Sequence, residues 1–206
     1  SSCRKKISLC YPVVEAATGV LTLMVYKHFQ YYEKAFFIIG VYFIFLCSLI
    51  VITGIDLRYF IIPDVISLPG IVIGILFSFL LPEIQGKASH LQGLLASFLS
   101  AATGGGILLL IALIGTLIFR KEAMGMGDIK LVAMFGAFMG IKLTLLSIFL
   151  ASLVGSLGGG LLMAAGKAKM QSRIPFGPYL ATGAVISLFY GEKLLSLYVH
   201  FITGGL

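Results

Sequence analysis

The sequence predicts an all-α protein, a multi-pass helical bundle embedded in a membrane, with about six to eight membrane segments. Three observations predict this class. Hydrophobic residues make up 59% of the 206 residues and charged residues only 11%, whereas a soluble domain averages about 25% charged residues. The mean hydropathy is +1.08. Apolar runs of about 20 residues, long enough to cross a bilayer as helices, follow one another along the chain. We therefore expect residues 1–206 to form one membrane domain.

Short polar stretches divide the apolar runs and set the order of the segments. The fourth run is longer than a bilayer needs and contains Gly104-Gly105-Gly106, so we expect a kink or break there. The fifth run is short, and we count it as a crossing. The last piece is too short to assign as a span. With approximate bounds, the runs are Tyr11–Tyr26, Ala35–Ile55, Val65–Leu81, Leu91–Phe119, Leu131–Ile141, Leu143–Ala165, Tyr179–Tyr190 and Leu194–Ile202.

Basic residues stand at the segment ends and give the chain a net charge of +7. No basic run is longer than Arg4-Lys5-Lys6, so the pattern indicates membrane topology and not a nucleic-acid surface. If that cluster faces the cytoplasm and the segments alternate, nine basic residues fall on the cytoplasmic side and five on the other, as the positive-inside rule expects. A re-entrant Leu131–Ile141 would instead turn the basic stretch from Lys167 to Arg173 outward.

Thiol and imidazole groups predict no metal site. The three cysteines form no paired framework and cannot supply the four ligands of a structural zinc site. The three histidines fall in loops or near segment ends, without a metal-ligand spacing. These residues are Cys3, Cys10, Cys47, His28, His90 and His200.

Two acids at segment ends are the candidates for chemistry. An ionised side chain at the centre of a membrane helix costs about 2.5–3.5 kcal/mol, so an acid in or near a span is a functional candidate. Asp56 and Asp128 come from separate segments and, like Asp64, fall on the predicted cytoplasmic side. Peptide hydrolysis by an aspartyl mechanism needs two carboxyl groups that share one proton, because the ionised group activates water while the protonated group polarises the carbonyl. We predict that Asp56 and Asp128 form this catalytic pair.

Glycines precede the second acid in the run Gly125-Met126-Gly127-Asp128. Without a Cβ, they permit positive φ and the close approach of another backbone. We expect Gly125, Met126 and Gly127, together with Lys130, to shape or bind an extended substrate. The alternative is a polar turn whose acid caps a helix that begins at Ile129, and the tetrapeptide alone favours this alternative.

A third acid, Asp64, follows Pro63 and precedes an apolar run, which is typical of a helix N-cap. We expect Asp64 to cap the third segment and Pro63 to set the direction of the loop before it. Both are therefore predicted to be structural residues near the site.

Several blocks, in order, resemble the type IV prepilin peptidases, a family of GxGD-type membrane aspartyl proteases. Each block is short, but they span nearly the whole chain. They are Cys3-Arg4-Lys5-Lys6-Ile7-Ser8 with Tyr11-Pro12-Val13-Val14-Glu15, Ile55-Asp56-Leu57-Arg58 with Ile62-Pro63-Asp64, Gly125-Met126-Gly127-Asp128-Ile129-Lys130-Leu131, and Ile174-Pro175-Phe176-Gly177-Pro178.

The resemblance implies that Asp56 and Asp128 are catalytic and that proteolysis needs no cofactor. It implies a prepilin or pseudopilin substrate, whose short basic leader is removed at the cytoplasmic edge of a prokaryotic inner membrane. The substrate would enter with its own apolar helix in the bilayer. Bacterial relatives also methylate the new N-terminus with S-adenosylmethionine.

The front of the bacterial pattern, an N-terminal helix and a loop with two Cys-x-x-Cys pairs, is matched here only by Cys3. We read residues 1–10 as the remnant of that loop, and we expect truncation or a natural short form. Zinc is not expected in this chain.

Two other function classes remain open at this point. The first is a small ion-coupled transporter, in which glycine-interrupted helices form a site and Asp56 and Asp128 bind a cation. It predicts an internal repeat, which the sequence lacks, and acids near the bilayer midplane. The second is a purely structural membrane subunit, for which the ordered acidic blocks would be a coincidence.

Overall fold

The computed structural model describes residues 10–120, 124–165 and 175–202, with the side chains of Cys10 and Leu162 left out. Within those ranges the chain is helical and contains no strand, which confirms the all-α prediction. The elements are α1 (Cys10–Phe29), α2 (Ala35–Tyr59), α3 (Asp64–Leu80), a short 3-10 helix (Pro82–Gln85), α4 (His90–Phe119), α5 (Met126–Ala164) and α6 (Gly177–Ile202).

Four of the described helices are long and apolar enough to cross a membrane, namely α2, α4, α5 and α6. Helix α3 is also apolar but has only 17 residues. Helix α6 joins the predicted Tyr179–Tyr190 and Leu194–Ile202 pieces into one element of 26 residues. These helices agree with a multi-pass membrane bundle.

The chain divides into two compact units, residues 1–50 and 51–206. In the first unit, α1 packs on the beginning of α2. The ring of Phe29 stacks on that of Tyr42 with centroids 4.5 Å apart, and Val25, Ile38 and Phe45 are buried. The prediction of a single domain stays a prediction. Every candidate site residue described below belongs to the second unit.

Helix α5 is the centre of the second unit, where it packs against α3, α4 and α6. It is broken at Gly140, whose φ of 76° and ψ of 168° lie in a region that only glycine populates readily. The break separates a first arm, residues 126–139, from a second arm, residues 141–164. The sequence placed this division between Leu131–Ile141 and Leu143–Ala165, close to its observed position.

The two arms of α5 run in opposite directions. A Cβ built on Gly104 of α4 would lie 3.4 Å from Val132 in the first arm and 2.8 Å from Thr144 in the second. One point on α4 therefore faces both arms, as a hairpin folded at Gly140 requires.

Contacts with α6 give the direction of the second arm. Gly191, late in α6, faces Leu143 and Leu146 early in the second arm, whereas Tyr179, early in α6, faces Gly155 and Gly158 late in that arm. The second arm and α6 are therefore antiparallel. Asp128, in the first turn of α5, interacts with Asp56, which binds the first residue of α6. Both ends of α5 therefore lie at the end of the unit where α6 begins.

Three side chains form hydrogen bonds next to the break, at the end of the unit opposite to the start of α6. The carbonyl of Ala137, in the last turn of the first arm, accepts from Ser78 at 3.1 Å, from Gln85 at 2.9 Å and from Ser97 at 2.8 Å. Carbonyl groups in the last turn of a helix lack partners within the helix, so these side chains satisfy one of them.

The predicted interruption of the fourth segment is wrong, because α4 runs through Gly104-Gly105-Gly106 without a break. Two of these glycines provide room for α5 instead. A Cβ on Gly105 would lie 3.1 Å from that of Ala133, while Gly106 has open space around it. Small residues allow this close packing of helices in lipid.

Candidate active site

Asp56 lies in the last turn of α2, and only 4% of its surface is exposed. The backbone N–H of Gly177 donates a hydrogen bond of 2.9 Å to its Oδ2 atom. Gly177 is the first residue of α6, so the carboxyl group faces the positive end of a helix dipole. The buried acid is therefore held at the point where two helices meet.

Gly177 is a site residue that the prediction from sequence missed. A Cβ at this position would lie 2.6 Å from Oδ2 of Asp56 and 3.2 Å from its Cγ. Only glycine therefore lets α6 begin against this carboxyl group. The block around Gly177 belongs to the resemblance, but the two residues are 121 positions apart, and no local pattern in the sequence joins them.

Asp128 lies at the beginning of α5. The helix starts at Met126 and its N-cap is Gly125, with φ −73° and ψ 143°. The alternative in which Asp128 caps a helix starting at Ile129 is therefore wrong, because Asp128 is the third residue of the helix. Its carboxyl group accepts from the backbone N–H of Gly125. An acid at this position that reaches back to the N-cap N–H forms half of a capping box.

The structure brings the two predicted acids together, since the carboxyl groups of Asp56 and Asp128 are close enough for their charges to interact. Each receives a backbone N–H at the start of a helix, α6 for Asp56 and α5 for Asp128. Asp56 is buried and Asp128 is half-buried. Two like charges in such a site repel each other, so a state with one shared proton is favoured. Their catalytic role stays a prediction.

The glycines before Asp128 do not adopt the positive φ that glycine permits, so this part of the prediction is not met. Among the described glycines only Gly86 and Gly140 have positive φ. Gly127 faces the loop before α3, since a Cβ there would lie 2.8 Å from that of Ile62. The absence of a Cβ at Gly127 thus lets Ile62 of the same protein pack closely against it. Gly125 and Met126 are exposed, and their role in substrate binding stays a prediction.

Asp64 is not the N-cap of α3, so that prediction is wrong. The N-cap is Pro63, without a side-chain hydrogen bond, and Asp64 is the first helical residue. Its Oδ2 atom lies 2.7 Å from Nζ of Lys130, and the two side chains are 54% and 28% exposed. The ion pair joins the start of α3 to the start of α5. A structural role for Pro63 and Asp64 stays a prediction, which this contact supports.

Lys130 follows Asp128 by two residues, about 200° around the helix, so the two side chains point in different directions. Its described partner is Asp64. Its predicted part in shaping the substrate site stays a prediction. The contact shown joins the start of α5 to the start of α3.

No group of three or more metal-binding side chains occurs in the part of the chain that the structure describes. The predictions on Cys3, on the basic residues 4–6 and on the stretch from Lys167 to Arg173 lie outside that part.

An apolar helical bundle with a pair of acids at one end of its helices defines a multi-pass membrane protein with a candidate acid–base site. A sequence model described as the type IV leader peptidase family matches residues 43–160, which is more than half of the chain. The chain belongs to this family. The resemblance seen in the sequence is thereby confirmed.

Relatives from several bacteria carry the name prepilin leader peptidase/N-methyltransferase. The one from Pseudomonas aeruginosa is 35% identical over 205 residues, which cover 98% of this chain and 65% of the relative. The one from Xanthomonas campestris is 33% identical over 197 residues, covering 96% and 64%. The one from Bacillus subtilis is 28% identical over 205 residues, covering 98% and 75%. The chain thus spans just under two thirds of the first two relatives. No solved structure gives a significant match.

Proposed function

We propose that this protein is a membrane-embedded aspartyl endopeptidase that removes the short basic leader from type IV prepilins or pseudopilins. The observation that carries the proposal is the pairing of Asp56 with Asp128 in a chain of the type IV leader peptidase family. Family membership also favours a peptidase over the transporter and structural-subunit alternatives.

The chemistry follows from the pair. The ionised carboxyl group takes a proton from a water molecule, whose oxygen attacks the scissile carbonyl carbon, while the protonated carboxyl group donates a hydrogen bond to the carbonyl oxygen. The tetrahedral intermediate then breaks at the carbon–nitrogen bond, and the departing amine takes a proton. Because Gly177 fixes one oxygen of Asp56, the pair is oriented before the substrate arrives. The proton belongs to the pair as a unit.

The position of the site suits a substrate that is itself a membrane helix. Asp56 ends one candidate span and Asp128 begins another, so a peptide just outside the bilayer can reach both acids while its apolar helix stays in the lipid. The excess of basic residues on the same side supports a cytoplasmic location. In this proposal the partners are a prepilin or pseudopilin helix and the lipid bilayer, without nucleic acid.

The proposed peptidase activity is tested with the purified protein and a prepilin-like peptide that carries a basic leader and an apolar helix. We expect Asp56→Asn and Asp128→Asn each to lower cleavage by more than about a thousandfold, because each removes one half of a unit. The matched control is Asp64→Asn, which removes only an exposed ion pair worth about 0–1 kcal/mol. Cleavage that survives both Asp56→Asn and Asp128→Asn would disprove the pair mechanism.

N-methylation is the second activity that the relatives' names favour. S-adenosylmethionine would supply the methyl group, and the amine released by cleavage would accept it. The same assay, repeated with S-adenosylmethionine, separates the two activities by the mass of the product. A product that gains a methyl group supports the second activity, and an unmethylated product limits this chain to proteolysis.

A further inference from the structure

An open groove of about 780 Å³ lies between the beginning of the second arm of α5 and the last part of α6. Its α5 wall includes Lys142, Leu145 and Phe149, which are spaced by three and four residues and so share one face of the helix. Its α6 wall includes Glu192 and Leu195, which are spaced by three residues. Each wall therefore combines one charged side chain with apolar ones.

The charged part of the groove lies far from the acid pair along α6. Gly177 binds one of the acids, and the 15 residues from there to Glu192 correspond to a rise of about 22 Å. Gly191 faces Leu143, the neighbour of Lys142, so the two charged residues stand at about the same level. The hydrocarbon core of a bilayer is about 30 Å thick. If the acids lie at one boundary, the long charged side chains reach the headgroups at the other.

Apolar side chains continue the groove from this level toward the middle of the bundle. Phe149 follows Lys142 by seven residues of α5, which is about 10 Å nearer to the end that holds the acids. Its ring is 60% exposed, and Leu145 between them is 39% exposed. The groove is therefore amphipathic along its length, with charges near the membrane boundary and apolar side chains deeper in the membrane.

The two charges have no partner in the part of the chain that the structure describes. The side chains of Lys142 and Glu192 are exposed, and neither forms an ion pair or hydrogen bond with another described residue. A cation and an anion on facing walls complement a headgroup that carries both signs, because an ammonium group donates to a carboxylate while a phosphate accepts from lysine. The hydroxyl of Ser196 lies in the same groove and has lone pairs to accept from the ammonium as well.

We propose that this groove binds one phospholipid with a phosphoethanolamine headgroup, from the leaflet away from the acid pair. Lys142 pairs with the phosphate, Glu192 accepts from the primary ammonium, and an acyl chain lies along Leu145 and Phe149. The volume falls within the roughly 300–1,000 Å³ typical of ligand pockets. Glu192 repels a headgroup that carries only negative charge, so the groove selects among lipids. This binding site is separate from the proposed peptidase function and does not rest on it.

The test offers the purified full chain three lipids with identical acyl chains in equal amounts, and native mass spectrometry measures which lipid is retained. The lipids are phosphatidylethanolamine, phosphatidylcholine and phosphatidylglycerol. We expect phosphatidylethanolamine to be retained at least about threefold more than either of the others, the effect of one exposed ion pair. The choline group has no N–H donor, and the glycerol headgroup has no cation. Soluble glycerophosphoethanolamine at the same concentration should not displace the lipid, because it lacks acyl chains.

Two variants separate the roles of the charges. Glu192→Gln should bring the retention of phosphatidylethanolamine and phosphatidylglycerol to about the same level, because the variant removes the partner of the ammonium. Lys142→Gln should lower the retention of both lipids, because both carry the phosphate. The matched control is Lys193→Gln, an exposed lysine one position from Glu192 that does not line the groove, and it should change neither. A ratio of two lipids within one variant is independent of how much folded protein that variant yields.

Equal retention of the three lipids by the unmodified protein, an unchanged preference in Glu192→Gln, or an equal loss in Lys193→Gln would overturn the site. Displacement of the lipid by the soluble headgroup would show that the acyl chain is not bound and would overturn it too. A native mass of two chains that falls to one in Lys142→Gln would instead make the groove an interface between copies. Each of these outcomes leaves the peptidase proposal intact, because none of them measures cleavage.

Discussion

At the scale of single residues, the contact between Asp56 and Gly177 is the tightest constraint on the candidate site. A Cβ on residue 177 would lie 2.6 Å from Oδ2 of Asp56, so Gly177→Ala must displace the carboxyl group or the start of α6. Because a displacement of about 1 Å can cost about a hundredfold in rate, we expect at least that loss in kcat with unchanged helix content. The measurement is peptide cleavage together with circular dichroism.

Gly160→Ala is the control for this substitution, since nothing lies within 4 Å of its added Cβ. Full activity in Gly177→Ala would show that the contact with Asp56 does not position the acid for catalysis.

The acid pair also predicts the pH dependence of the rate. At low pH both carboxyl groups are protonated and no base remains, and at high pH both are ionised and no acid remains. We expect kcat/KM to rise and then fall with pH, with both limbs belonging to the pair. Asp64→Asn should leave the profile in place, because Asp64 is paired with Lys130 and exposed. A rate that only rises or only falls across the range would argue against a shared proton.

The two acids could be proposed from the sequence because the free-energy cost of an acid in a membrane helix, and its acid–base chemistry, are properties of the single residue. Sequence reasoning missed Gly177 because its importance comes from a contact across 121 residues. It also assigned Asp64 to a cap, since the sequence pattern of a cap does not reveal that Lys130 lies opposite.

At the scale of helices, the break at Gly140 lets α5 carry Asp128 at one end and reach the start of α6 with the other. We expect Gly140→Ala to destabilise the protein by about 1–3 kcal/mol, because φ of 76° with ψ of 168° strains any residue with a Cβ. The added Cβ would also lie 2.9 Å from Oε1 of Gln85. Thermal unfolding in detergent measures the loss.

The control for the break is Gly106→Ala, in the interior of α4 with open space around it. Alanine is favoured over glycine there by about 0.5–1 kcal/mol, so this variant should be unchanged or more stable. Equal stability of the two alanine variants would contradict the strained break.

Glycine runs alone did not reveal which helix is broken. The sequence placed an interruption at Gly104-Gly105-Gly106, but α4 continues through these residues without a break. Two of them make room for Val132, Ala133 and Thr144. The single Gly140 is the one that breaks its helix. The difference arises from tertiary packing, since a glycine in a helix and a glycine at a break have the same local sequence signal.

At the scale of the whole molecule, composition determined the class and the apolar runs determined most helix positions, because burial in lipid depends on length and hydropathy. The sequence could not show that α2, α5 and α6 present their ends to one another. That arrangement depends on the hairpin in α5 and on the antiparallel packing of its second arm with α6. It is what turns two distant acids into one candidate site.

The last prediction concerns the side of the membrane that the candidate site faces. Helix α3 begins beside the site at Asp64 and rises about 25 Å over its 17 residues to the 3-10 helix at the other end. Ile61, before α3, is 62% exposed, and Ala88, after the 3-10 helix, is exposed as well. If the site faces the cytoplasm, these two positions lie on opposite sides of the membrane.

Single cysteines at these positions test the orientation, in a variant whose natural Cys3, Cys10 and Cys47 are replaced by serine. We expect a membrane-impermeant thiol reagent to label Ala88→Cys but not Ile61→Cys in intact cells, because only the end away from the acids faces outward. Inverted membrane vesicles should show the opposite pattern, and permeabilised cells should label both, which controls for accessibility. Labelling of Ile61→Cys from outside intact cells would place the acid pair on the wrong side for a substrate with a cytoplasmic leader.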